Sequence, residues 1–148
     1  MVAVDDVDRA PGTLRVITFN LLAPDQADWD RRREVIRSGL RRLRPDVVAL
    51  QETVWGSGYD QASDLLGPDY EMTRHASRSA DGVGAVLASR WPFGSIREVD
   101  LHVTERVDLP WAATVTAEVL LPEPFGLTLF GHISPPIRLA TPVKGQAT

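Results

Sequence analysis

The order of apolar and polar positions in the first third of the chain predicts a strand, a helix and a second strand. Residues 14–20 (LRVITFN) are rich in β-branched and aromatic side chains, which favours a strand. Asp28 is a suitable N-cap for the helix, and Pro45 terminates it. Helical spacing links Trp29, Arg33, Ile36, Leu40 and Leu43, with Val35 beside them. Residues 46–50 (DVVAL) are almost continuously apolar, which is typical of a strand covered on both faces.

A strand–helix–strand unit joins two parallel strands, and the rest of the chain is predicted to consist mainly of further strands. These elements are a short helix at 59–66 and strands at 70–73, 85–89, 96–103, 111–121 and 127–133. The strand at 111–121 alternates, so it should be antiparallel with one solvated side. Its apolar face consists of Trp111, Ala113, Val115, Ala117, Val119 and Leu121. The predicted fold class is therefore α/β, with a mixed (α+β) sheet.

Two polar side chains follow the parallel strands at the point where each is predicted to end. Asn20 closes the first strand, and Glu52 follows DVVALQ in the second. Because ligands of open α/β sheets bind at the carboxyl ends of the strands, both side chains should reach the same edge. An amide oxygen and a carboxylate suit Mg²⁺, which needs few protein ligands when water and substrate phosphate supply the rest. The alternative for each residue alone is a turn-forming or solvated side chain.

Composition narrows the class of protein without naming a function. The chain has 148 residues, 43% hydrophobic and 24% charged, which fits one domain or part of one. The net charge of -4 argues against a strongly basic nucleic-acid-coating protein, and the lack of cysteine excludes a disulfide framework or a thiolate nucleophile. No apolar run approaches a membrane span, and residues 1–12 resemble a flexible leader without a signal-peptide core. A cytoplasmic location is the default expectation.

Five short motifs occur along the chain in this order: VITFN at 16–20, Trp29 with Arg32, RPDVVALQE at 44–52, GVGAVLASRWP at 82–92 and GHI at 131–133. In this order they resemble the motifs of the endonuclease/exonuclease/phosphatase superfamily. That family has a "TFN" strand, a helix opened by Trp-x-x-Arg, a "PDVVALQE" strand, a glycine followed by a strand with "SR" and Pro, and a later strand closed by "HL". The resemblance covers most of residues 14–134.

The resemblance implies a phosphodiesterase or phosphomonoesterase that depends on Mg²⁺ or Mn²⁺. Asn20 and Glu52 match the family's metal-binding residues, and His132 matches a histidine close to the scissile phosphate. Asn20 and Arg90 are also candidates to contact the substrate phosphate, and Glu52 and His132 are the catalytic candidates. The substrate class stays open between nucleic acid, a phospholipid head group and an inositol phosphate. The family fold is a four-layer α/β/β/α sandwich.

The sequence also departs from the family pattern. A Gly-Asp-x-Asn motif and a final Asp-His pair are not found, so residues 13–136 match about the first half of the domain, and 137–148 read as an irregular tail. The alternative function is a non-catalytic remnant or a partner-binding module. In a truncated domain, the apolar face of 111–121 should lose its cover and favour self-association.

The remaining conspicuous residues are expected to be ordinary. His75 and His102 are predicted to be surface or half-buried side chains. The arginines at 31–33 and 41–42 could bind nucleic acid. The favoured interpretation is a solvated helix face, balanced by Asp28, Asp30 and Glu34.

Overall fold

A computed structural model describes residues 10–56, 58–102 and 113–134, with side chains described as far as 131. Most of the predicted leader, the apolar position Trp111 and the predicted tail lie outside these residues. Eight strands and two α-helices are described: β1 (Val16–Asn20), α1 (Trp29–Leu43), β2 (Val47–Gly56), β3 (Tyr59–Asp60), α2 (Gln61–Leu66), β4 (Glu71–Arg74), β5 (Val83–Ser89), β6 (Phe93–Asp100), β7 (Ala113–Leu120) and β8 (Leu127–Ser134). Within this part of the chain, no helix is long and apolar enough to cross a membrane.

The first sheet has the strand order β1-β2-β5-β4, and the short β3 pairs with β2. β1 runs parallel to β2, and β2 and β4 both run antiparallel to β5. The β1–α1–β2 unit with parallel strands is thus confirmed, as is the mixed character of the sheet. Every residue of β5 is buried, because this strand lies inside the sheet and both of its faces are covered.

Helix α1 begins and ends where the sequence predicts. The Asp28 side chain accepts a hydrogen bond from the Arg31 backbone N–H, and Arg44 ends the helix in a left-handed conformation with φ of 43°. Both helices pack on one face of the first sheet. The apolar cluster between them consists of Leu21, Leu40, Val48, Leu50, Ala62, Leu65, Val86 and Ala88, with Ile36 and Trp29 at its margin.

The second sheet is an antiparallel meander in the order β6-β7-β8, and it covers the other face of the first sheet. Val47 and Leu87 of the first sheet contact Ala117, with Ala49, Phe93 and Phe130 packed around them. The described layers are therefore helices, sheet and sheet.

The predicted exposure of the β7 apolar face is wrong. Ala113, Val115, Ala117 and Val119 are all buried, because the first sheet supplies their cover. The opposite face of the second sheet carries exposed apolar side chains at Leu120, Leu127 and Leu129.

Several element boundaries differ from the prediction. β2 continues past Glu52 to Gly56, so Glu52 does not end the strand. α2 begins at Gln61, because Asp60 caps it by accepting a hydrogen bond from the Ser63 N–H at 3.0 Å and Tyr59 belongs to β3. β6 begins at Phe93 rather than at residue 96, and a register irregularity separates those two positions.

Candidate active site

Asn20 is the last residue of β1, and its side chain folds back onto the loop that follows. Its Oδ1 accepts a hydrogen bond from the Leu22 backbone N–H at 2.9 Å. Leu22 has a φ of 58°, a left-handed conformation that a leucine rarely adopts. A carbonyl oxygen has two lone pairs, so this hydrogen bond leaves one acceptor site of Asn20 for a ligand.

Glu52 occupies a β-bulge rather than a strand end. Leu50 pairs with Val86 and Thr53 with Gly84, so Gln51 and Glu52 together lie opposite the single residue Ala85. Glu52 itself has a φ of 52°, which is strained for a residue with a side chain. A bulge changes the direction of the side chain it carries. β2 can therefore continue while the Glu52 side chain departs from the regular alternation of side chains between the two faces of the sheet.

The structure brings Asn20 and Glu52 together at one edge of the first sheet. Asn20 pairs in register with Gln51, the residue before Glu52, and the Gln51 carbonyl accepts a hydrogen bond from the Leu21 N–H at 2.9 Å. Within the described part of the chain, no side chain or backbone donor is hydrogen-bonded to the half-buried Glu52 carboxylate.

This donor set fits a hard divalent cation with few protein ligands. The described residues contain no group of three or more carboxylate or histidine side chains arranged to hold a metal. One amide oxygen and one unpartnered carboxylate would leave the remaining octahedral positions to water and substrate oxygens, as Mg²⁺ prefers.

Arg32 holds the loop that follows Asn20. Its Nη1 donates to the Leu21 carbonyl at 2.6 Å and to the Leu22 carbonyl at 3.3 Å, and its Nη2 donates to the Leu22, Ala23 and Ala27 carbonyls at 3.3–3.5 Å. Its guanidinium carbon lies 5.3 Å from the centre of the Trp29 ring, within cation–π range. The Trp-x-x-Arg spacing places both side chains at the first turn of α1, next to the end of β1.

Arg33, the next residue along, joins the two helices instead. Its Nη2 donates to Asp64 at 2.6 Å, and this guanidinium holds the pKa of Asp64 below its usual range. Asp64 also accepts a hydrogen bond from the Tyr59 hydroxyl at 3.1 Å, and that hydroxyl accepts one from the Trp29 indole at 2.9 Å. The expectation of a solvated helix face at 31–33 is therefore wrong for Arg32 and Arg33, which are committed to internal contacts.

His132 lies in β8 and pairs in register with Val115, which in turn pairs with Glu98 of β6. The Glu98 carboxylate accepts hydrogen bonds from the Ala76 N–H at 2.9 Å and the Ser77 N–H at 3.1 Å. Ala76 and Ser77 directly follow His75, whose backbone N–H donates a hydrogen bond to the Ala85 carbonyl. Ala85 is the residue opposite the Glu52 bulge. The backbone of His132 therefore lies at the same end of the two sheets as Glu52.

Arg90 lies at the other end. Its N–H donates to the Asp46 carbonyl at 3.0 Å, at the start of β2, and Ser89 before it pairs with Val47. At about 3.3 Å per residue, this position is roughly 15–20 Å along β2 from Glu52. The structure does not bring Arg90 together with Asn20 and Glu52.

Gly82, in the third of the sequence motifs, supports the strand that carries Glu52. Its φ is 86°, and a Cβ there would lie 2.8 Å from the Trp55 carbonyl oxygen. The Trp55 N–H donates to the Gly82 carbonyl at 3.2 Å. Only glycine allows this close approach, which fixes β2 just beyond the bulge.

Comparison with known families decides the ancestry. The family model described as "Endonuclease/Exonuclease/phosphatase family" matches residues 17–143, most of the chain. The chain belongs to the endonuclease/exonuclease/phosphatase family. No curated protein sequence matches it.

Solved structures share this family fold. TDP2 of D. rerio, complexed with a single-strand DNA product, is 23% identical with a TM-score of 0.56, over 72% of this chain and 40% of that one. A family protein from Leptotrichia buccalis C-1013-b is 13% identical with a TM-score of 0.57, over 72% and 48% of the two chains. ANGEL2, a 2',3'-cyclic phosphatase, is 16% identical with a TM-score of 0.58, over 72% and 36%. The chain thus spans less than half the length of each of these proteins.

Proposed function

We propose that this chain carries the metal-binding end of a phosphoesterase that depends on Mg²⁺ or Mn²⁺. Family membership supports nuclease- or phosphatase-type chemistry in general. The observation that carries the specific proposal is the position of Asn20 and of the strained Glu52 at one sheet edge, where no described residue is hydrogen-bonded to the Glu52 carboxylate. Strain of about 1–3 kcal/mol at a polar residue persists when the surrounding structure imposes it, and it is concentrated at functional sites.

A divalent cation bound there would neutralise phosphate oxygens and stabilise the charge that develops during an in-line displacement. Asn20 would contribute a neutral oxygen and Glu52 a carboxylate. By holding the cation in place, both would orient the phosphate that binds to it. His132 is the candidate to hold or donate a proton close to the leaving oxygen, since its backbone lies at the same end of the sheets. Arg90 has no place in this proposal because of its position.

The substrate class stays open between nucleic acid and a lipid or inositol phosphate. The similar structure of TDP2 contains a single-strand DNA product, and ANGEL2 is described as a cyclic phosphatase. DNA and a cyclic phosphate are both phosphoesters, which is the chemistry that the candidate substrates share.

The test combines metal binding with turnover. We expect Mn²⁺ to bind the wild type in a titration followed by electron paramagnetic resonance of the free ion, and to bind Asn20→Ala and Glu52→Gln at least tenfold more weakly, because each removes a ligand. With bis(p-nitrophenyl) phosphate and Mg²⁺ or Mn²⁺, Glu52→Gln should lower kcat/KM on the order of 100-fold.

Glu34→Gln is the matched control, because it removes an exposed carboxylate on α1 that pairs with its neighbour Arg33. It should change neither quantity. Metal binding that is equal in wild type and Glu52→Gln would refute the site. Metal binding without any metal-dependent turnover would refute catalysis by this chain and favour the alternative below.

The second candidate is a module that binds a partner or a second copy. The observation in its favour is the exposed apolar surface on the outer face of the second sheet, at Leu120, Leu127 and Leu129. Monomeric proteins rarely expose a contiguous apolar patch, and such patches often mark interaction sites.

A further inference from the structure

We infer that Arg32 is a positioning residue that orients the Asn20 side chain for its ligand. This inference rests on the metal site proposed above, and it concerns how the chain holds that site ready. The observations are the contacts of Arg32, the conformation of Leu22 and the hydrogen bond between Leu22 and Asn20.

The first step is the conformation of Leu22. A left-handed leucine is unfavourable by itself, so contacts elsewhere must impose it. Arg32 donates to the carbonyl before Leu22, at Leu21, and to the carbonyl of Leu22 itself. These carbonyls belong to the two peptide units that flank the Leu22 Cα, so the hydrogen bonds restrict the backbone angles of Leu22. One guanidinium can make both bonds at once because its donors lie in a rigid plane.

The second step is the direction of the Leu22 N–H. With Leu22 held at a φ of 58°, its N–H points back toward β1 and donates to Asn20 Oδ1 at 2.9 Å. This bond selects one orientation of the Asn20 amide, with the oxygen on the loop side. An exposed asparagine without it would rotate about its side-chain bonds, and ordering the amide would then oppose ligand binding.

The third step is what holds Arg32. The Trp29 ring lies beneath the Arg32 guanidinium at 5.3 Å. The Arg32 Nε is buried, although the residue as a whole is half-buried. Trp29 is itself held by a hydrogen bond from its indole to the Tyr59 hydroxyl. A chain of contacts therefore runs from the helix pair through Arg32 and Leu22 to Asn20.

The experiment is a double-mutant cycle on Mn²⁺ affinity, measured by electron paramagnetic resonance on folded protein. Arg32→Lys keeps the charge but loses the planar set of donors. We expect it to weaken Mn²⁺ binding on the order of tenfold, as outer partners of metal ligands do. In the Asn20→Ala background, the same change should weaken binding no further, because Arg32 acts through Asn20.

Arg33→Lys is the matched control. It alters the adjacent arginine, which donates hydrogen bonds to Asp64 on α2 and to Glu34 on its own helix. It should lower the melting temperature and leave the Mn²⁺ affinity of the folded protein unchanged. If Arg32→Lys does not fold, Trp29→Leu is the second variant, with Tyr59→Phe as its control for the lost indole hydrogen bond. Trp29→Leu should also weaken Mn²⁺ binding.

Equal Mn²⁺ affinity in wild type and in the folded variant used would overturn the inference and leave the metal site intact. Equal losses from Arg32→Lys in the presence and absence of Asn20 would also overturn it, because they would show that Arg32 acts independently of Asn20. A wild type that binds no Mn²⁺ would overturn both the site and the inference.

Discussion

Backbone strain in the described residues is concentrated around the candidate site. Among the described residues, three that are not glycine have a positive φ: Leu22, Arg44 and Glu52. Arg44 ends a helix, where such a conformation is ordinary. Leu22 follows β1, close to the proposed ligand Asn20, and Glu52 is the other proposed ligand, within β2. Each left-handed residue costs roughly 1–2 kcal/mol in local backbone energy. The fold sustains this cost through Arg32 on one side and the paired strands β2 and β5 on the other.

His75 gives the fold a pH dependence. It was expected to be exposed or half-buried, but only 1% of it is accessible, and burial lowers the pKa of its imidazole from the ordinary value of 6.5. The unfolded chain therefore binds a proton more readily than the folded one. The contribution of His75 to the free energy of unfolding should be constant above about pH 7.5 and should fall as the pH drops below about 6.5.

Chemical denaturation at several pH values measures this contribution. Its slope should approach about 1.4 kcal/mol per pH unit below the ordinary pKa. His75→Gln removes the titrating group, so its stability should fall less steeply than that of the wild type between pH 6.5 and 5. The two proteins should run parallel above pH 7.5. Parallel curves below pH 6.5 as well would show that His75 does not titrate differently on folding.

Gly82 and Gly39 offer opposite outcomes from the same substitution. Gly82→Ala places a Cβ 2.8 Å from the Trp55 carbonyl in a left-handed conformation, so the free energy of unfolding should fall by about 2 kcal/mol. Gly39 lies inside α1 with nothing within 4 Å of an added Cβ, so Gly39→Ala should raise it by about 0.5–1 kcal/mol. Urea denaturation compares both with wild type, and a Gly82→Ala protein as stable as Gly39→Ala would contradict this account.

At the scale of elements, periodicity predicted what local sequence determines. α1 follows from its cap at Asp28 and from Pro45 after its end. β1, β5 and β7 correspond to the strands predicted at 14–20, 85–89 and 111–121 from β-branched and alternating residues. β2 was cut short at Glu52, because a bulge breaks the alternation that sequence reading relies on. β3 was missed because two residues, Tyr59 and Asp60, carry too little pattern to predict a strand.

At the scale of the whole molecule, the parallel β1–α1–β2 unit was enough to predict Asn20 and Glu52 at one edge, because the two strands run in the same direction and Asn20 lies beside Gln51. The hydrogen bonds from Arg32 to the Leu21 and Leu22 carbonyls were not predictable from the hydrophobic pattern, because an arginine in the first turn of a helix usually faces solvent. The alternation predicted which face of β7 is apolar, but not that the first sheet covers it, since that contact depends on the packing of two sheets that are distant in sequence.

The outer face of the second sheet predicts self-association of the isolated chain. Leu127 is 59% exposed and Leu129 65%, and Leu127 pairs with the exposed Leu120. Sedimentation velocity should show a concentration-dependent increase in mean mass, which the double variant Leu127→Lys, Leu129→Lys abolishes. The variant should fold as well as wild type, because both side chains are exposed.

Val35→Lys is the control for this experiment. Val35 is 70% exposed, but it lies on α1, away from the second sheet. It should leave association unchanged. A wild type that stays monomeric at every concentration, or one that is dispersed equally by Val35→Lys, would exclude this face as the contact.

The left-handed conformation of Glu52 has a consequence for directed evolution of this chain. Glycine or asparagine tolerates that backbone better than glutamate does. A library sorted only for thermal resistance would therefore enrich these residues at position 52 and discard the proposed ligand while the rest of the protein improved. Selection for stability would favour replacing Glu52, and selection for turnover would favour keeping it, so a screen must apply both selections together to retain the glutamate.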